Sequence, residues 1–252
     1  RGGVGRFVEA LVPALTDGRV EVGVAVAAID RDAHGYRLRT STGSSYLADA
    51  VVLATPAYVS ARIVQDLAPS LADSLGRIRY VSSGTVSLAF RRDEVRHPLN
   101  GFGFVVPRGE RRRIFGCTWN SSKLAGRAPE GHVLLRAFVG GAGRENIVDL
   151  PDDELVALVR AELEQIMGLD AEPLLTRVYR WHHANPQYQV GHLERVRGIH
   201  AQAESIGALY LTGSAFEGVG LPDCVRQAQA TATRVLAALP RAREAVEITA
   251  AS

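Results

Sequence analysis

Three glycines within eight residues, Gly213, Gly218 and Gly220 in LTGSAFEGVGLPDC, stand between an apolar run and a helical pattern. Glycine permits positive φ and lets a ligand come close to the backbone. Pro222 suits the first turn of a helix, where its missing N–H is no loss. Neighbouring amides then point forward as free donors, backed by the positive end of the helix dipole. Such a turn can hold an anion or an electron-rich ring edge; the same residues can equally form a tight strand-to-helix packing corner. His182, His183 and His192 are metal-ligating types. Their spacing matches no usual motif, and adjacent residues on a strand face opposite ways, so no metal is expected. Arg91, Arg92, Arg96 and the cluster Arg111 to Arg113 could pair with carboxylates, but a solvated hairpin face accounts for them more simply. Gln187 and Tyr188 either line a site or pack and cap. Trp181, taken alone, reads as core, and so does Trp119.

The elements that must position these residues alternate without a strict strand–helix rhythm. Residues 4 to 15 put Val4, Phe7, Val8, Leu11, Val12 and Leu15 on one helical face, and Asp17-Gly18 ends the pattern. VEVGVAVAAIDRD reads as a strand, GYRLRTSTGSSYLAD as a hairpin across Gly43, and AVVLATPA as a buried strand ending at a proline turn. Helical spacing returns from Val59 to Leu75, followed by the long strand IRYVSSGTVSLAFRRD and strand candidates near 102–106, 113–119 and 132–139. LPDDELVALVRAELEQIMG is the clearest helix, with acids in its first turn and Gly168 as its stop. LLTRVYRW is a strand, HHANPQYQVGHLERV a loop entering a helix, ALYLTG a last short strand, and Pro222 to Leu239 the final helix. The expected fold class is α/β of the mixed α+β, layered kind rather than a barrel.

Composition narrows the function. At 252 residues, 46% hydrophobic and 22% charged, the chain can bury a substantial core as one large domain or two small ones. No apolar run approaches the roughly 18 to 20 residues of a membrane span, and the start lacks a signal-peptide pattern, so a cytoplasmic protein is expected, with peripheral membrane association left open. Cys117 and Cys224 match no zinc or redox spacing and read as buried thiols. Net charge is +2, and the densest basic run, RGERRR, has no interleaved aromatic residues, which argues against nucleic acid. The opening Arg1 and the single methionine, Met167, suggest a piece of a longer protein.

TGSAFEGVGLPDC closely resembles the C-terminal flavin motif of the protoporphyrinogen and coproporphyrinogen oxidase family, within the amine-oxidase-like FAD superfamily. RGGVGRFVEAL resembles the family's Gly-Gly entry into the returning flavin domain, VAAID and ADAVVLATPA follow in the family's order, and CTWNSSKL, PEGHVLLRAFVGGAG and NPQYQVGH also resemble family segments. The resemblance implies an incomplete FAD-binding domain with an inserted substrate-binding domain: residues 1–57 and 181–252 as flavin-domain segments and 58–180 as the substrate portion. The strand–GxGxxG–helix that holds the FAD pyrophosphate in that family is absent from the sequence. Flavin contacts would fall on Val26, Trp181, Val219, Gly220 and Leu221, and substrate contacts on Ser82, Gly84, Gln187 and Tyr188, with Gly84 leaving room for a flat macrocycle. The implied activity is FAD-dependent oxidation of coproporphyrinogen III or protoporphyrinogen IX by O2, in haem synthesis. Charge developing on the flavin would be stabilised by the helix start at Pro222, and the resemblance implies no catalytic base. The alternatives are another flavoenzyme of the superfamily, such as a carotenoid desaturase or amine oxidase, and a non-catalytic tetrapyrrole-binding module.

Overall fold

The computed structural model describes residues 3–16, 18–33 and 35–239; Asp17, expected to help end the first helix, lies outside them. The chain divides into two compact units, one of residues 80–187 and one formed by the segments on either side. In the first flanking segment the expected helix is α1 (Gly5–Leu11), continued by a 3-10 turn (Val12–Ala14). It buries nothing: Phe7, Val8 and Leu11 stand 41%, 59% and 48% exposed. β1 (Val26–Asp32), β2 (Gly35–Thr40) and β3 (Ser45–Ala48) form an antiparallel meander turning at Gly43, where φ is +85°. The first strand is shorter than its alternation suggests, and residues 20–25 stay outside it. β4 (Val51–Leu53) follows. The helical spacing expected from 59 to 75 resolves into α2 (Ala57–Ile63) and α3 (Pro69–Gly76). The break falls where Pro69, lacking an N–H, can start a helix but not continue one.

The 80–187 unit is built on β5 (Tyr80–Arg91), β6 (Gly103–Val105), β7 (Ile114–Trp119), α4 (Asn120–Lys123), β8 (His132–Gly140), α5 (Asp152–Met167) and β9 (Leu175–Pro186). Its five strands pair antiparallel in the order β6-β7-β8-β5-β9. Alternation assigns the faces. Val86, Leu88, Val133, Leu135, Ala137 and Val139 turn inward and pack with Leu155, Leu158, Val159 and Leu163 of α5 in one buried cluster. Helix α5 has Asp152, Asp153 and Glu154 in its first turn and stops at Gly168, with φ +66°. Arg180 anchors its start: the guanidinium donates to the Val148 carbonyl at 2.7 Å, the Leu150 carbonyl at 2.6 Å and Asp152 Oδ1 at 2.6 Å. The stretch 182–186, expected as loop, continues the strand, because hydroxyls of β5 hold it. Ser82 Oγ accepts the His183 N–H at 3.1 Å, and Asn185 Nδ2 donates to Ser83 Oγ at 2.8 Å, around a bulge between Val81 and Ser83.

The chain returns through α6 (His192–Ile206), β10 (Leu209–Leu211) and α7 (Leu221–Ala238). β10 pairs in parallel with β4, placing Leu209, Tyr210 and Leu211 opposite Val51, Val52 and Leu53. Among the described residues this parallel pair has no further strand beside it. No helix there is long and apolar enough to cross a membrane.

Candidate functional site

In the 80–187 unit, the face of the sheet turned away from α5 carries aromatic residues. Phe115 and Phe138 lie with ring centroids 5.6 Å apart, Tyr179 and Trp181 at 6.2 Å, and Thr85 sits in register between Phe138 and Tyr179. Phe115, Tyr179 and Trp181 are 38%, 53% and 46% exposed, so this face offers flat apolar surface. Beside it opens a pocket of about 550 Å³ walled by Val81, Val105, Val106 and Phe115. Its polar lining is Ser83, Asn185, Gln187, Arg108 and Arg144, and its floor includes Gly140 and Gly141. The pocket combines an apolar wall with cations and amides, which suits a flat, largely apolar ligand bearing anionic groups.

Of the residues expected at the substrate, Gln187, just past the end of β9, lines this pocket and Ser82, Gly84 and Tyr188 do not. Ser82 is 7% exposed and its hydroxyl is committed to the His183 amide. A side chain at Gly84 would meet Val139 Cγ2 at 3.1 Å and the Tyr179 carbonyl at 3.2 Å. The room left by this glycine is therefore filled by the core, and the strand meets the pocket at Val81 and Ser83 instead.

The glycine turn belongs to the flanking unit and is held by a neighbouring clamp. Tyr188 donates its hydroxyl proton to the Ser214 carbonyl at 2.6 Å and accepts the Gly218 N–H at 2.9 Å. Its ring stacks on His192 at 4.0 Å, and His192 Nε2 donates to the Phe216 carbonyl at 2.9 Å. Burial pushes the Tyr188 phenol up, while the hydrogen bond from Gly218 opposes the shift. The Tyr188 hydroxyl is thus occupied in shaping the turn, while the residue as a whole stays 42% exposed. Positive φ is used at Gly213 (+118°) and Gly218 (+127°), whereas Gly220 caps α7 at φ −70°, so the freedom expected at all three glycines is exercised at two. Pro222 takes the second helical position, after Leu221.

This turn fits a flavin edge. The N–H groups of Val219, Gly220 and Leu221 meet no acceptor among the described residues, and the first helical bond of this turn is Cys224 N–H to the Gly220 carbonyl at 3.0 Å. Val219 and Leu221 are 61% and 49% exposed, so free donors sit between open apolar side chains. A side chain at Gly218 would collide with the Asp223 carboxylate, its Cβ 2.6 Å from Oδ2. Asp223 in the first turn takes part of the helix's positive end, and Arg226 at 3.1 Å neutralises it in turn. Val26 begins β1 in the same unit, partly buried.

Several of the remaining candidates have structural partners. His182 lies 3.7 Å from Asp149, and His183 takes φ +46° at the bulge. Among the described residues no three metal-ligating side chains gather at one point. Arg92 caps the carbonyls of Val95 and Pro98, Arg96 reaches Asp170 at 4.0 Å, and Arg112 reaches Glu162 at 3.6 Å. Cys117 is buried, its thiol pushed up to about 12 by desolvation, whereas Cys224 is only half-buried at the start of α7, against the expectation of two buried thiols. Arg108, Arg144, Ser83, Val105 and Phe115 were not singled out from the sequence. Neighbouring strands of the sheet, with the β6–β7 connection that carries Arg108 and the turn after β8 that carries Arg144, bring them to one pocket.

A family model described as flavin containing amine oxidoreductase matches residues 1–236. The coproporphyrinogen III oxidase of Bacillus subtilis is 36% identical over 235 residues, covering 93% of this chain and 50% of the relative. That of Propionibacterium freudenreichii is 39% identical over 255 residues, covering 96% and 46%. The chain spans about half the length of the curated relatives it matches. A crystal structure of a candidate protoporphyrinogen oxidase from Exiguobacterium sp. 255-15 superposes with a TM-score of 0.82 at 32% identity, over 93% of this chain and 51% of that one. Putrescine oxidase, at 17% identity, TM-score 0.70 and coverage of 94% and 53%, shares the fold. With a mixed α/β fold, a glycine turn that fits a flavin edge and a family match across nearly its whole length, the chain belongs to the flavin-containing amine oxidoreductase family, whose cofactor is a flavin.

Proposed function

We propose that this chain serves the oxidation of a porphyrinogen, coproporphyrinogen III or protoporphyrinogen IX, to the porphyrin in haem synthesis, with O2 as the final acceptor. The observation that carries this reading is the 36% identity to a coproporphyrinogen III oxidase across 93% of the chain, which spans residues of both units. Residues 58–180 would serve the substrate, with the aromatic sheet face of the 80–187 unit receiving the flat macrocycle and Gln187 at its rim. Residues 1–57 and 181–252 would serve FAD. Val219, Gly220 and Leu221 would present backbone N–H groups to the flavin's pyrimidine edge, with Trp181 and Val26 as further contacts by family resemblance. When bound, FAD would supply the acceptor for each hydride that leaves the ring, and dioxygen would take those two electrons on, with protons, as hydrogen peroxide. The free amides and the helix start favour electron density on the side facing them. Tyr188 and His192 keep that edge in shape, and Asp223, paired with Arg226, limits how much of the helix dipole reaches it. The test is anaerobic addition of coproporphyrinogen III to the flavin-loaded enzyme that contains this chain. Bleaching of the flavin, its return on admitting air, and the appearance of porphyrin fluorescence are expected. A flavin left oxidised by coproporphyrinogen III and by protoporphyrinogen IX would sink the reading.

A further inference from the structure

The pocket beside the aromatic sheet face holds two arginines that no carboxylate neutralises among the described residues. Arg108, in the 3-10 turn Arg108–Glu110 after Pro107, has no partner there for its guanidinium. Arg144 spends one N–H on the Arg112 carbonyl and keeps the rest. No aspartate or glutamate lines the pocket, and Glu145, next to Arg144 in sequence, turns its carboxylate to the Gly143 N–H at 2.9 Å. The guanidinium fork matches a carboxylate in two parallel hydrogen bonds, and an apolar wall such as Val105 and Phe115 strengthens the pair by excluding water. The arginines thus flank a surface suited to a flat ring, as cations awaiting anions on that ring's rim.

We propose that Arg108 and Arg144 recognise the carboxylates borne by the macrocycle and select substrate by their number, favouring the four of coproporphyrinogen over the two of protoporphyrinogen. The inference rests on the porphyrinogen reading of this site and assigns it a specificity-determining pair. Neither arginine touches the reacting carbon by necessity; both position the ring.

The test titrates the flavin-loaded enzyme with coproporphyrin III, protoporphyrin IX and coproporphyrin III tetramethyl ester, followed by porphyrin fluorescence. The parent protein should bind coproporphyrin III more tightly than protoporphyrin IX. Arg108→Gln and Arg144→Gln should each weaken coproporphyrin binding by at least about tenfold, narrow the preference over protoporphyrin IX, and leave the ester unchanged; Arg144→Lys should recover part of the loss. Arg144→Gln also removes a bond to the Arg112 carbonyl, so circular dichroism and a melting curve accompany it, and Arg108→Gln, which breaks no internal contact, decides the matter if Arg144→Gln does not fold. Unchanged coproporphyrin affinity in Arg108→Gln, or an equal loss for the ester, overturns carboxylate recognition while the porphyrinogen reading stands. A parent that binds none of the three porphyrins overturns both.

Discussion

At the scale of single residues, the glycines divide by what a side chain would meet rather than by motif. Gly140 and Gly141 both lie at positive φ, +82° and +79°, on the floor of the pocket. Around Gly141 nothing lies within 4 Å of an added Cβ, whereas at Gly140 the Cβ would overlap Val148 Cγ2 and come within 2.9 Å of the Ser82 carbonyl. Alanine at either position carries the cost of left-handed backbone, about 1–2 kcal/mol. At Gly140 the clash adds an overpacking cost of roughly 1–3 kcal/mol. Gly140→Ala should therefore lose roughly twice the stability lost by Gly141→Ala in urea unfolding with unchanged slope. Equal losses would show that backbone conformation alone, and not the closeness of Ser82 and Val148, demands glycine here. Gly220 is the converse case: with φ −70° its value lies in keeping the amide edge clear, not in unusual backbone.

At the scale of elements, α6 and α7 place His200 where protonation opposes folding. Burial is the larger cause and the Arg234 guanidinium of α7 the next, and together they hold the imidazole below the usual histidine range; Glu217 and Glu204 pull weakly the other way. The ring packs on Phe216 with centroids 5.3 Å apart. Because the folded value is depressed, the unfolded chain takes the proton first on acidification. The stability His200 contributes is thus full above its unfolded pKa of about 6.5 and is lost as pH falls through the lower folded value. Melting temperatures of the parent should drop more between about pH 8 and pH 5 than those of His200→Gln, and parallel curves would remove His200 as the cause. Elements of this kind were legible in the sequence where periodicity is local: α5, α7, β5 and β8 follow from apolar spacing, caps and glycine stops. The extension of β9 through Pro186 was not, because the hydroxyls of Ser82 and Ser83 that hold it come from another strand. The pocket arginines escaped for the same reason. Arg108, in the β6–β7 connection, and Arg144, in the turn after β8, are remote in sequence and reach one pocket only because those strands lie together in the sheet, while the Arg111 to Arg113 cluster is partly spent on Glu162 and Gln165 of α5.

At the scale of the whole chain, the flanking unit leaves surfaces that ordinarily meet further structure. Parallel strands are normally buried within larger sheets, yet β4 and β10 pair only with each other among the described residues, and Val52 of β4 is 43% exposed. The apolar stripe of α1 is likewise uncovered. The sequence contains no strand–GxGxxG–helix to cradle a pyrophosphate. What it offers FAD is a helix start, contributing about 0.3–1 kcal/mol and at best ~2 kcal/mol, three free amides at about 0.5–1.5 kcal/mol each, and two exposed apolar side chains. Micromolar retention requires about 8 kcal/mol after the cost of immobilising the ligand, and these contributions fall short of it. Residues 1–252 expressed alone, supplied with FAD and desalted, should therefore retain far less than one flavin per chain, measured from the absorbance released on denaturation. A yellow, stoichiometric protein from the 252 residues alone would mean that the glycine turn and its neighbours hold FAD without a pyrophosphate cradle.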